Sequence, residues 1–300
     1  MNMIDANDRP SDIDVLDDGA EKMKALLENL GDGGQQNSIE NTHNSVAVNV
    51  QPLVDNNTNY WDIDDLPTKY RLYADGVKLR ARPLKVIEVK KLTAITDDNA
   101  DSVVNDIIRK CVTGIDYQSI YSADKLYLLL WLRANSFRDN NYVVDFHCSK
   151  CSSESTYHFS VDNVIVDYMS KDYDPNEIIT FSTGDKASLK LLQIRDEISM
   201  SSFKDKYFDL FNESGDEIDS ELLSVSFMID RINGEQHDPL SRYNYVLSMQ
   251  PGDFSLLTTQ LSKYSVGVKP YMNATCDVCG GESQIGISFH PDFFLPKVKS

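Results

Sequence analysis

The chain has 300 residues, 41% of them apolar and 25% charged, with a formal net charge of −18. That mix suits a soluble globular protein with one sizeable core or two smaller ones. No run of roughly 18 uncharged apolar residues exists to span a bilayer, and a surface this acidic repels phosphate backbones, so neither a membrane nor nucleic acid is an expected partner.

Residues 1–62 read as an acidic, largely disordered tail. Residues 1–65 hold fourteen acidic and three basic side chains, −11 of the total. Their Asp, Asn, Gln and Gly content buries too little surface to offset ordering entropy. The start is acidic and has no apolar run, so it does not read as a secretory leader. One exception is an amphipathic helix expected at 15–30. Leu16, Ala20, Met23, Leu27 and Leu30 recur at spacings of four and three, and Gly31 follows as a stop. Alone, such a helix is marginal in water. It is transient, packs on its own body, or engages a partner through Leu16, Met23, Leu27 and Leu30.

The body begins near residue 63. Tyr70–Tyr73 and the alternating Val77, Leu79 and Ala81 flank Asp75-Gly76, which predicts a hairpin ended by Pro83. Helices are expected over Val86–Ile95, Ala100–Val112 and from Ser122 or Ala123 through Leu132. The second would be capped by Asp97-Asp98-Asn99 and stopped by Gly114. The third is apolar on nearly all sides, the mark of a central core helix. Lys85–Lys91 reads as a solvated helix face. Strands follow at Tyr142–Phe146 and Thr156–Val161. A second hairpin, Ile178–Phe181 with Ala187–Leu192, turns at Thr183-Gly184-Asp185. A helical section spans Asp196–Tyr264, broken near Gly215, Gly234 and Pro251-Gly252. Strands at Lys269–Ala274 and Gln284–Phe289 end the series.

Two cysteine pairs, Cys148-Ser-Lys-Cys151 and Cys276-Asp-Val-Cys279, each sit between two of these strands. Two intervening residues let both sulfurs face one ion, and four thiolates complete a tetrahedral structural zinc site. In a reducing compartment such pairs bind metal more often than they form disulfides. Neither pair precedes a clear helix, which weakens a thioredoxin-like reading. Gly280 and Gly281 suit the turn after the second pair, whereas Ser152 stands after the first. Cys111, on an apolar helix face, reads as a small buried hydrophobe. His147, His158 and His290 lie near the pairs and would be spare to a complete site. The pairs are 124 residues apart, so sharing one zinc requires the section between them to be an insertion. The expected fold is therefore α+β. It has a helical core with β-hairpins and a split four-cysteine zinc ribbon, carried by residues 63–162 and 266–300. Residues 163–265 form an inserted hairpin and helical section.

Nothing argues for catalysis. G-x-S-x-G, H-E-x-x-H, Walker and Rossmann patterns are absent. The acidic runs at Asp97–Asp106 and Asn212–Glu221 lack the features of a calcium loop. No small-molecule substrate is expected.

The order of the body's landmarks resembles the T-even-type phage baseplate protein family. Leu66-Pro67-Thr68-Lys69 with Tyr73-Ala74-Asp75-Gly76, then Arg82-Pro83-Leu84-Lys85-Val86 and Glu88-Val89-Lys90-Lys91-Leu92, is similar to that family's opening. Trp131-Leu132-Arg133-Ala134-Asn135-Ser136 before the first cysteine pair is similar too. So is the second pair with Phe289-His290-Pro291-Asp292-Phe293-Phe294-Leu295-Pro296. Tyr70-Arg71 and Ala74 depart from it where glycine and proline are usual. The resemblance implies a component or assembly factor of the baseplate hub of a contractile-tailed phage. Such a protein binds other hub proteins in the host bacterial cytoplasm during assembly or in the virion tail baseplate. The competing reading is a zinc-ribbon nucleic-acid-binding regulator, which the charge opposes.

Overall fold

The computed structural model describes residues 59–96, 99–137, 141–160, 164–215, 217–263 and 265–286. The expected helix at 15–30, with Leu16, Met23, Leu27 and Leu30, lies outside the described residues. So do Asp97, Asp98 and the closing segment from Phe289 to Pro296.

Helices and small antiparallel sheets alternate along the body. In chain order they are β1 (Trp61–Asp62), β2 (Arg80–Ala81), α1 (Val86–Leu92), α2 (Ala100–Cys111), β3 (Val112–Thr113), α3 (Ser122–Ser136), β4 (Asn141–His147), β5 (Glu154–Ser160) and β6 (Val166–Asp167). Then come β7 (Ile178–Thr180), β8 (Lys186–Leu189), α4 (Ile194–Ser214), α5 (Ser220–Met228), β9 (Ile229–Ile232), α6 (Pro239–Leu247), α7 (Pro251–Lys263), β10 (Gly267–Val268), β11 (Tyr271–Thr275) and β12 (Glu282–Gly286). Among the described residues no helix is long and apolar enough to cross a membrane.

The main core forms around α3, whose Leu128, Leu129, Leu130 and Leu132 are buried. Each contributes about 1.5–3 kcal/mol on burial. Ile107, Ile108 and Cys111 of α2 join them, with Ile63, Leu66, Leu79, Val268 and Met272. Two further clusters draw on the section between the cysteine pairs. Ile179, Ala187, Val225, Ile229 and Leu257 form one, and Phe203, Leu223, Phe227 and Tyr243 the other. Asp253 of α7 accepts from the Ser182 backbone N–H at 2.8 Å and its hydroxyl at 2.7 Å, tying that helix to the β7–β8 turn.

The expected hairpin over residues 70–81 does not form. β2 pairs instead with β1 on one side and β3 on the other. Lys69 and Tyr70 adopt φ of 53° and 59°, which breaks any extended run. A buried carboxylate explains why. Asp124 of α3 accepts from the Thr68 N–H (3.0 Å), the Thr68 hydroxyl (2.7 Å) and the Tyr73 hydroxyl (2.8 Å). The Tyr70 hydroxyl donates to the Ile63 carbonyl and accepts from the Leu79 N–H. These bonds coil the segment against α3.

Other expectations stand close to what forms. Asn99 does not cap α2 with its side chain; its Oδ1 accepts from the Thr96 N–H at 2.9 Å. Pro251 opens α7 rather than interrupting a helix, because its missing N–H costs nothing in a first turn. Inside the section expected to be helical, Ile229–Ile232 is a strand that completes the sheet β7-β8-β9.

Candidate metal centre

The two cysteine pairs occupy matching places. In β4–β5 the last paired residues are His147 and Glu154, and in β11–β12 they are Thr275 and Glu282. Each hairpin thus carries a six-residue loop with cysteine first and fourth. The backbone repeats as well. The Ser152 N–H donates to the Cys148 carbonyl and the Gly280 N–H to the Cys276 carbonyl, both at 2.9 Å. The Cys148 N–H donates to Ser153 and the Cys276 N–H to Gly281, again at 2.9 Å. Ser152 (φ 57°) holds the left-handed turn that Gly280 (φ 67°) holds in the other loop. The first loop therefore needs no glycine to form the same knuckle, although it bears the strain of a side chain in that region.

A short neck brings the loops together. β6 pairs antiparallel with β10, Val166 opposite Val268 and Asp167 opposite Gly267. The chain that leaves after the first hairpin thus returns beside its point of departure, just before the second. Gly267 sits at φ 132°, and a Cβ there would lie 3.2 Å from the Ala123 carbonyl of α3, so the neck lies flush on the core helix.

All four sulfurs lie within 4.8 Å of one another. Cys148 Sγ is 3.6 Å from Cys279 Sγ, and Cys151 Sγ is 3.8 Å from Cys276 Sγ. A tetrahedron with metal–sulfur bonds of ~2.3 Å has edges of about 3.8 Å. Cys148 and Cys276 are buried, and Cys151 and Cys279 exposed. The cluster can hold a metal ion, and its all-sulfur donor set suits a soft or borderline one.

The surroundings favour thiolates on the buried side. Hydroxyls of Ser153 and Ser155, then the Cys279 N–H, draw the Cys276 thiol down to about 5. The Cys151 and Lys150 N–H groups lower Cys148. At Cys279 the Gly281 N–H also favours the thiolate, but the Cys151 and Cys148 sulfurs outweigh it and push the thiol up to about 12. Four sulfurs without a cation cannot all carry charge; a dication would remove that conflict.

The other nearby candidates fall elsewhere. His147 and His158 are exposed on their strands and outside the cluster, and His290 lies outside the described residues. Cys111 is fully buried in the main core, and burial pushes its thiol up to about 12. Four serines complete the site without having been singled out by spacing. Ser155 Oγ lies 3.2 Å and Ser153 Oγ 3.5 Å from Cys276 Sγ. Ser283 Oγ accepts from the Ser149 N–H and meets its hydroxyl, both at 3.1 Å. A signal exists for the buried pair: the loops share C-x-x-C-x-x-E-S, ending in Ser155 and Ser283.

A family model described as T4 bacteriophage base plate protein matches residues 63–294. The chain belongs to this base plate family. The match covers both cysteine pairs, the neck and the three hydrophobic clusters. No curated protein and no solved structure matches the chain. Base plate membership gives the coarse function, a structural or assembly role in a phage baseplate alongside other baseplate proteins. Several base plate landmarks have a physical task here. Thr68 and Tyr73 bind Asp124. Arg82 meets Glu88 in a buried, two-pronged pair at 2.8 and 2.5 Å. Trp131 packs its ring 6.2 Å from that of Trp61.

Proposed function

We propose that this base plate protein is a component or assembly factor of the baseplate hub, acting by protein–protein binding on a body stapled by one structural zinc. The observation that carries the reading is the family match across the body that holds the sulfur cluster. Cys148, Cys151, Cys276 and Cys279 would bind the zinc, and four thiolates leave no open position for chemistry. When bound, the ion supplies charge balance for the sulfurs and a cross-link between the hairpins. The split ribbon belongs to residues 63–162 and 266–300, with 163–265 inserted and 1–62 as the acidic tail. The stripe of Leu16, Met23, Leu27 and Leu30 is the segment proposed to engage a hub protein. The chain would act in the host cytoplasm during assembly.

Co-purification from infected cells tests the partner. The tagged full chain should retain hub proteins, and deletion of residues 1–60 should weaken that retention. A chain that brings down no hub protein, or that instead shifts nucleic acid in a gel at low salt, would overturn the reading.

A further inference from the structure

The charge of this protein is not evenly spread over its body. Residues 78–125 hold nine basic and seven acidic side chains, +2 within a chain of −18. α1 and α2 hold four of the basic and three of the acidic side chains. Lys91, Arg109 and Lys110 all converge on the single carboxylate of Asp106, at 2.7–2.8 Å. One carboxylate cannot balance three cations. Lys85, at the cap of α1, and Lys90, within it, are exposed and have no carboxylate partner among the described residues. Beside them Val86 is 85% and Ile87 61% exposed. Val86 and Lys90, and Ile87 with Lys90 and Lys91, stand three or four residues apart and share one face.

The C-terminal half of α4 is the opposite. Residues 204–221 hold seven acidic and two basic side chains. Tyr207 and Phe211 turn toward α5 and α6, where Phe211 stacks edge-on against Tyr243. Phe208 and Leu210 flank that stripe and are 62% and 54% exposed. Asp205 and Asp209 lie one turn apart beside Phe208, with no cation partner among the described residues. Of the neighbouring cations, Lys204 is engaged with Ser220 and Lys206 lies over the Tyr207 ring.

Each face thus pairs uncovered apolar side chains with unbalanced charge, and the signs are opposite. We propose that the chain self-associates head to tail, the α1 face of one copy seated on the α4 face of the next. Val86 and Ile87 of one copy meet Phe208 of the next at the centre, and Lys85 and Lys90 oppose Asp205 and Asp209 at the rim. Because the two faces differ, the contact is heterologous; repeated, it generates a ring or a filament rather than a closed two-fold dimer. Rim charges of this kind set register and encounter rate, and salt screens them over about 8–10 Å.

Sedimentation of the full chain across concentration tests this with two variants. Lys85→Glu with Lys90→Glu makes both rims acidic; Asp205→Lys with Asp209→Lys makes both rims basic. The parent should associate with concentration, less so at high salt. Each variant alone should associate at least tenfold more weakly. An equimolar mixture of the two should regain association, because each supplies the face that the other has inverted. Circular dichroism confirms that both variants are folded. A parent that stays a single chain at every concentration in low salt overturns the proposal. So do variants that associate as the parent does, or a mixture that fails to recover.

Discussion

Arg82 and Glu88 show how two family landmarks become one buried device. Both side chains are under a tenth exposed. Arg82 also donates to the carbonyls of Pro83 (2.9 Å) and Lys110 (3.0 Å), while Glu88 accepts from the Lys85 N–H at 2.6 Å. One ion pair therefore closes the start of α1 and fastens it to the end of α2. Burial opposes the Glu88 charge, but the Arg82 hydrogen bonds outweigh it and hold the carboxyl below its ordinary value. That depressed value makes the pair's contribution fully present above the unfolded carboxyl value of 4.5. It is lost as the pH falls through the folded one. Arg82→Ala strands a buried carboxylate and should cost about 3–5 kcal/mol at neutral pH. Replacing both residues with alanine should cost less than that single change, because no charge is left unpaired. Denaturant unfolding of the three proteins checks this. In Arg82→Ala the deficit should shrink on acidification, since the stranded Glu88 then protonates. A deficit that is the same at every pH would show that packing, not charge, explains the loss.

At the scale of elements, helical periodicity in the sequence locates α1, α2 and α3, and α4–α7 as a broken series. These elements are fixed by contacts three and four residues apart. What periodicity misses depends on partners far away. β9 reads as part of a helical stretch until β8 is beside it. The coil at residues 67–73 exists because Asp124, some fifty residues on, accepts three bonds there. The site divides in the same way. The four cysteines are legible from spacing alone, and so is the shared C-x-x-C-x-x-E-S. The Ser155–Cys276 contact joins residues 121 positions apart and follows only from the neck. The knuckle repeat also makes a local prediction. Ser152 carries a side chain at φ 57° where the other loop uses Gly280. Ser152→Gly should relieve that strain and stabilise the metal-loaded protein by roughly 0.5–1 kcal/mol, the left-handed penalty less the added chain entropy of glycine. A raised thermal midpoint is the expected outcome. A lowered one would mean that the Ser152 side chain contributes more than its backbone costs.

At the scale of the molecule, the section between the cysteine pairs is a loop closed twice, by the two-residue ladder of β6 with β10 and by the sulfur cluster. The ladder is short, so a metal ion in the proposed site would add substantially to the closure. The α3 core takes in Val268 of the neck and Met272 of β11, but it also holds Ile107 and Ile108 of α2, Leu66 and Leu79, which belong to neither closure. Zinc in the proposed site would contribute on the order of 10 kcal/mol to the fold that presents its ligands. Its loss should therefore open the knuckles first, while the α3 core keeps the packing it has from α2, Leu66 and Leu79. Native mass spectrometry should find one zinc per chain, absent after Cys276→Ser and retained after Cys111→Ser, since Cys111 lies in the core. Chelation should lower the thermal midpoint of the parent by more than about 10 °C, given the usual 2–4 °C per kcal/mol for a body of this size. It should also admit protease first at residues 148–153 and 276–281, with far-ultraviolet circular dichroism changed little. A chain that purifies without metal, melts unchanged in chelator and keeps both loops protected would have no metal staple. Its hairpins would be joined by β6 and β10, the serine contacts between the loops, and the packing of Val144, Tyr157, Met272 and Ile285 on the main core.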